Sequence, residues 1–130
     1  MPEELRDVVR YVFYVMGCVK PFHVSRVLVL ANWRAMERLG EPVARFTVRG
    51  FHAGFYVKEI PEIIDSDECL RRNKARRCVE YVCSKPEIRR EYAEVIDEVI
   101  DMARELTELE LNRLVIKDLR YGKLLKDGGF

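Results

Sequence analysis

The chain has 130 residues, 48% of them hydrophobic and 35% charged, with a formal net charge of +1. That is the size of one domain, with ample apolar material for a single core. No stretch reaches the roughly 18 uninterrupted apolar residues that a membrane span needs. The acidic opening at Glu3, Glu4 and Asp7 does not suit a signal peptide, so a cytoplasmic protein is expected.

The charge is unevenly spread. Residues 1–64 carry nine basic and seven acidic side chains, residues 65–85 six and four, and residues 86–130 eight and eleven. Gln is absent while Arg and Glu are abundant, a composition that suits a thermophile. This bears on the four cysteines. They would be reduced thiols in a mesophilic cytosol, whereas intracellular proteins of hyperthermophiles do hold disulfides.

In chain order, Leu5, Val8, Val9, Val12, Phe13 and Met16 recur at helical spacing, and Gly17 supplies a stop. Pro21 suits the first turn of a second helix running from about Phe22 to Leu39, with Gly40 as its C-cap. Val27 to Ala31 is apolar nearly all round, which marks this helix as the most enclosed. Phe46, Val48 and Gly50 then alternate with Thr47, Arg49 and Phe51, as in a short strand. Gly50 and Gly54 bracket a tight bend at His52, and Tyr56 to Ile64 reads as a short helix.

Between Asp67 and Cys83 two short runs flank Asn73-Lys74. A two-residue turn there predicts a β-hairpin over about 68–83, in which Arg72 faces Ala75, Arg71 faces Arg76 and Cys69 faces Cys78. The competing arrangement is one helix from Glu68 to Cys83. Two capping boxes follow, Ser84-Lys85-Pro86-Glu87 and Thr107-Glu108-Leu109-Glu110. They predict a helix to about Leu106 and another to about Leu119 or Tyr121. Gly122 is read as its end, and Lys123 to Phe130 as a frayed tail outside a domain of residues 1–122. The expected fold is α+β and mainly helical: a winged-helix-like core with a β-hairpin wing and a C-terminal helical hairpin.

Arg26-Val27-Leu28-Val29-Leu30-Ala31-Asn32-Trp33, then Gly40, then Phe51-His52-Ala53-Gly54-Phe55-Tyr56-Val57-Lys58-Glu59-Ile60, resembles the Panacea, or SocA-like, domain. That domain pairs an apolar "K-L-L-Y-L-A" helix with a "Y-x-x-Y-G-P-x-S" turn. Leu106-Thr107-Glu108-Leu109-Glu110-Leu111 is similar to its closing "L-S-x-x-E-L". Gly54 matches the family glycine, while Phe55 stands where proline is usual. The resemblance covers about residues 5–120 and implies an antitoxin-like or phage-associated role on a winged-helix-like scaffold.

Arg71, Arg72, Lys74, Arg76 and Arg77 form the strongest functional signal, because a hairpin carries its tip away from the core and guanidinium groups match phosphate geometry. Arg45 and Arg49 on the preceding strand are expected to supplement them. Such contacts position a protein on a duplex without reading sequence. The short helix carries Glu59, Glu62 and Pro61, which argues against base readout through it. The alternative is a solvated turn, or one paired with the acidic helix between Glu91 and Glu110.

Cys69 and Cys78 are either a disulfide across the hairpin, with Cys18 and Cys83 remaining, or plain buried thiols like the other two; the gaps of nine and five among Cys69, Cys78 and Cys83 do not suit zinc. His23, His52 and Trp33 read as structural, and Glu94, Asp97, Glu98 and Asp101 as a solvated helix face. No nucleotide-binding loop or nucleophile elbow occurs. The expected protein is therefore no enzyme, and needs neither cofactor nor metal. It is a DNA-associated regulator whose basic wing holds the phosphates of double-stranded DNA, and a homodimer is compatible with that. The alternative is an antitoxin- or adaptor-like module that binds a protein partner.

Overall fold

The computed structural model describes residues 1–130. The protein is α+β, with six helices and two separate antiparallel hairpins. No helix is long and apolar enough to cross a membrane.

Helix α1 (Leu5–Met16) buries Val8, Val9, Val12 and Phe13, residues spaced along one stripe. It stops at Gly17, whose positive φ of 81° is open to glycine and strained for other residues. Helix α2 (Pro21–Leu39) begins with Pro21 in its first turn and ends at Gly40 in the left-handed conformation. It packs against α1, two later helices, the third helix and the second strand, and so forms the axis of the core. Buried Asn32 on α2 accepts hydrogen bonds from Val43 N (2.9 Å) and Ala44 N (3.3 Å) and donates to Ala44 O (2.7 Å). One side chain thereby satisfies the loop that leaves this helix, where bare backbone would otherwise be buried unpaired.

Strands β1 (Val48–Phe51) and β2 (Gly54–Val57) form the first hairpin, with Arg49 opposite Tyr56 and Phe51 opposite Gly54. The expected strand is present, but its partner is a correction: Gly54 to Val57 is a strand, and helix α3 (Glu59–Ser66) starts only at Glu59. Burial of Phe55 and Val57 with exposure of Tyr56 is the alternation of a half-buried strand. Pro61 does not interrupt α3. It lies in the first turn, where a missing N–H costs nothing.

Strands β3 (Leu70–Asn73) and β4 (Cys78–Tyr81) form the second hairpin, in place of a single helix. Helix α4 (Arg90–Ala103) starts later than the Ser84 capping box predicted, since residues 84–89 form no helix. Cys83 is held by a disulfide and Arg89 bonds Glu3 at 2.8 Å, so tertiary ties override the local signal. The Thr107 capping box does form: Thr107 Oγ1 accepts from Glu110 N, and Glu110 accepts from Thr107 N. It opens helix α5 (Glu108–Ile116).

The last segment also differs from expectation. Gly122 lies inside helix α6 (Tyr121–Asp127), and Gly128 at φ 74° caps it. Lys123 to Phe130 is no frayed tail: Phe130 N donates to Phe46 O, and the two rings lie 5.1 Å apart. α6 packs on β1, and buried Tyr121 and Leu124 join the core.

Candidate nucleic-acid interface

The β3–β4 hairpin carries five basic residues, Arg71 and Arg72 on strand β3 and Lys74, Arg76 and Arg77 on a loop longer than a two-residue turn. Asn73 pairs with Cys78, leaving residues 74–77 as the connection. Two local features hold this loop. Asn73 Oδ1 accepts from Arg76 N at 3.1 Å, and Arg77 adopts a positive φ of 57°. The shift changes the register. Arg71 now faces Glu80, and Arg72 faces Val79.

That register corrects the cysteine pairing. Cys69 does not meet Cys78; its carbonyl accepts from Val82 N, which brings the neighbouring Cys83 into reach. The disulfides are Cys69–Cys83 and Cys18–Cys78, and no thiol is free. The first closes the base of the hairpin. The second fixes β4 to the linker between α1 and α2, where Val19 and Val79 exchange backbone hydrogen bonds of 3.0 and 2.9 Å.

A third brace is Asp67, buried just ahead of β3. It receives two hydrogen bonds from Arg10 (2.6 and 2.9 Å), one from Arg6 (3.2 Å) and one from Cys69 N (2.9 Å). Burial alone would raise its carboxyl, but the bonds from Arg10, Cys69 N and Arg6 outweigh burial and hold it below the usual range. The hairpin is therefore tied to α1 and to the α1–α2 linker.

The five bases divide into two groups. At the base of the hairpin, Arg71 pairs with Glu80 at 2.6 Å and Arg72 with Asp65 at 3.0 Å. At the tip, Lys74, Arg76 and Arg77 are exposed and make no ion pair. The acidic helix α4 does not neutralise them. Its Glu98 binds Arg34 and Arg38 of α2, Glu94 binds Arg90, and Asp97 accepts from the Tyr11 hydroxyl.

A groove of about 260 Å³ runs along this tip, lined by Arg72, Lys74 and Arg77 together with Pro21. It thus reaches the N-terminus of α2. That terminus has no side-chain cap and no acidic residue in its first turn. Pro21 has no N–H, and the amides of His23 and Val24 donate to Lys20 O, so what this terminus adds to the charge of the tip is the positive end of its dipole. Nearby Lys20 pairs with Glu108 at 3.3 Å, and burial lowers the His23 imidazole.

Arg45 and Arg49 are not brought to this groove. Arg45 borders a separate cleft of about 600 Å³ beside Trp33 and α6, while Arg49 lies on the outer face of β1, close to Gly128. Sequence reasoning also missed Arg26. It is 4% exposed, sandwiched between the rings of Phe22 (3.9 Å) and Phe55 (4.1 Å), without a carboxylate partner. It donates to Ser25 Oγ (2.8 Å), Phe55 O (2.9 Å) and Asn112 Oδ1 (2.8 and 3.2 Å). Burial pushes its pKa down to about 10, so it stays charged at neutral pH. The available signal was a single charge set against the apolar run Val27 to Ala31.

No protein-family model, curated protein or solved structure matches this chain.

Proposed function

We propose that the protein is a DNA-associated regulator that grips nucleic-acid phosphates through the tip of the β3–β4 hairpin, on a winged-helix-like scaffold. The observation that carries this reading is the division of the five bases: the two at the base are neutralised in place, and the three at the tip are left without partners. Unpaired cations on a rigid projection beside an uncapped helix terminus suit phosphate oxygens, which accept from any donor without demanding a base sequence. The acidic residues of α3 argue against that helix entering a groove, so the interaction is one of position.

The test is fluorescence anisotropy on a random-sequence 20-bp duplex across a salt series. Affinity is expected to fall steeply as salt rises. A Lys74→Ala, Arg76→Ala, Arg77→Ala triple variant should flatten the log–log slope by about 2.7, at roughly 0.9 for each phosphate no longer neutralised. A triple variant that binds as tightly as wild type, with an unchanged slope, overturns the reading.

A second reading, an antitoxin- or adaptor-like module that binds a protein, draws on exposed Leu109, Leu114 and Leu119 near α5. It predicts a partner whose binding is insensitive to salt and abolished by polar substitution of those leucines.

A further inference from the structure

The β1–β2 hairpin presents large aromatic side chains to solvent on a frame that is held unusually firmly. Phe51 is 61% exposed and Tyr56 57% exposed, and the His52 ring lies edge-on to Phe51 at 5.5 Å. Arg49 faces Tyr56 across the ladder, and both are exposed. Lys58 follows, exposed and without an ion pair. Three helices fasten the turn beneath these side chains through its carbonyls. Arg26 of α2 donates to Phe55 O, Asn112 of α5 donates to Ala53 O at 3.0 Å, and the Tyr121 hydroxyl of α6 donates to Phe51 O at 2.6 Å. Gly50 lets the strands close, because a Cβ there would lie 2.4 Å from Gly54 O.

A polar surface turn needs no such anchoring, and an exposed Phe–Tyr pair does not gain stability from it. Rigid aromatic faces flanked by cations are what a planar, electron-rich ring system with attached phosphates requires. The arrangement is also connected to the phosphate grip. Pro21, which walls the tip groove, also lines a second groove of about 220 Å³ whose other walls include Phe22, Tyr56 and Pro61. The unpaired bases of the tip and the exposed face of Tyr56 thus open on either side of one residue.

We infer that the β1–β2 hairpin is a stacking platform for unpaired nucleobases, with Tyr56 and Phe51 as its faces, so that the nucleic acid held at the basic tip is single-stranded where it crosses Pro21. The inference rests on the phosphate-gripping reading above and specifies its substrate class. Paired bases in a duplex present only their edges, and the platform would have nothing to stack against. A single strand exposes its bases, and stacking on an aromatic ring tolerates any of them.

The experiment compares a dT20 single strand with a 20-bp duplex, for wild type, the triple tip variant and a Tyr56→Ala, Phe51→Ala platform variant. Wild type is expected to bind the single strand about 10-fold or more tighter than the duplex. The platform variant should lose about 10-fold per stacked base on the single strand only, with its salt slope unchanged. A 2-aminopurine-labelled strand should be quenched on binding wild type and not on binding the platform variant. Because both side chains are largely exposed, the variant should keep the wild-type circular dichroism and melting curve. As a second probe, Tyr56→Trp should tighten single-strand binding and report it through quenching of the new indole. If the platform variant binds dT20 as well as wild type while the tip variant does not, stacking is refuted and the phosphate grip stands. Equal weakening on single strand and duplex refutes it as well. If the tip variant binds both substrates as wild type does, the grip itself is refuted.

Discussion

The two disulfides close loops of very different length, and that difference can be measured. Cys18–Cys78 spans 60 residues of sequence and Cys69–Cys83 spans 14. In the chain-entropy description a crosslink acts mainly by restricting the unfolded chain, which gives about 4 kcal/mol for the long loop and about 3 kcal/mol for the short one. The constant part cancels on subtraction, leaving about 1.3 kcal/mol from the ratio of loop lengths alone. The perturbation is a pair of double variants, Cys18→Ser/Cys78→Ser and Cys69→Ser/Cys83→Ser, each of which leaves the other bridge intact and no odd thiol to reshuffle. Unfolding would be followed by urea titration and by heat. For a chain of this size, losing the long bridge should lower Tm by about 15 °C, and losing the short one by less. Equal costs, or a larger cost for the 14-residue loop, would refute the reasoning. Recovery of a Cys69–Cys78 peptide from the wild-type protein under non-reducing digestion would refute the pairing itself.

Other outcomes follow from single side chains. Asp67→Asn should destabilise by about 2–3 kcal/mol, since it leaves Arg10 short of its charged partner in a partly buried site. Because the Asp67 carboxyl is held low in the folded protein, its contribution is complete above about pH 4 and is lost as pH falls through the native value; the variant should show a shallower loss of Tm below about pH 4 than wild type. Arg77→Gly should raise stability by up to about 1 kcal/mol by relieving the left-handed backbone, while weakening duplex binding in the anisotropy assay. Arg26→Met should cost about 2–3 kcal/mol despite removing an uncompensated charge, because the acceptors at Phe55 O and Asn112 are left unpaired; calorimetry would read this directly. Gly50→Ala should lower Tm more than Gly122→Ala, since an added Cβ meets backbone at the first site and nothing at the second.

Much of the architecture was legible where a local signal had no rival. Gly17 and Gly40 ended helices as read, Pro21 opened one, and the Thr107 capping box formed with both of its hydrogen bonds. The hairpin at 68–83 was legible as a hairpin, but its register was not. Asn73-Lys74 looked like a two-residue turn, and the sequence holds no sign that Arg77 would take a conformation disfavoured for a side chain with a Cβ. Two extra loop residues re-paired every position behind them, which moved Cys69 from Cys78 to Cys83. Strand β2 escaped because Tyr56 to Ile64 satisfies a helical stripe, whereas its pairing with β1 and a hydrogen bond from Arg26, distant in sequence, hold the extended form. Gly122 misled for a related reason: glycine permits a stop without requiring one, and here Gly128 is the residue at positive φ.

The bracing of β4 against the α1–α2 linker also sets how the finger can move. With Val79 laddered to Val19 and Cys78 bonded to Cys18, one strand of the finger is continuous with the interior, while β3 has no such ladder or covalent tie to the body and rests on the Asp67 brace, buried Leu70 and the Arg72–Asp65 pair with α3. Any swing must therefore pivot on the β4 side and open the β3 edge first. In hydrogen exchange, the amides of residues 70–73 should yield before those of Val19 and Val79, and cutting the Cys18–Cys78 bond would turn a fixed strut into a hinged one.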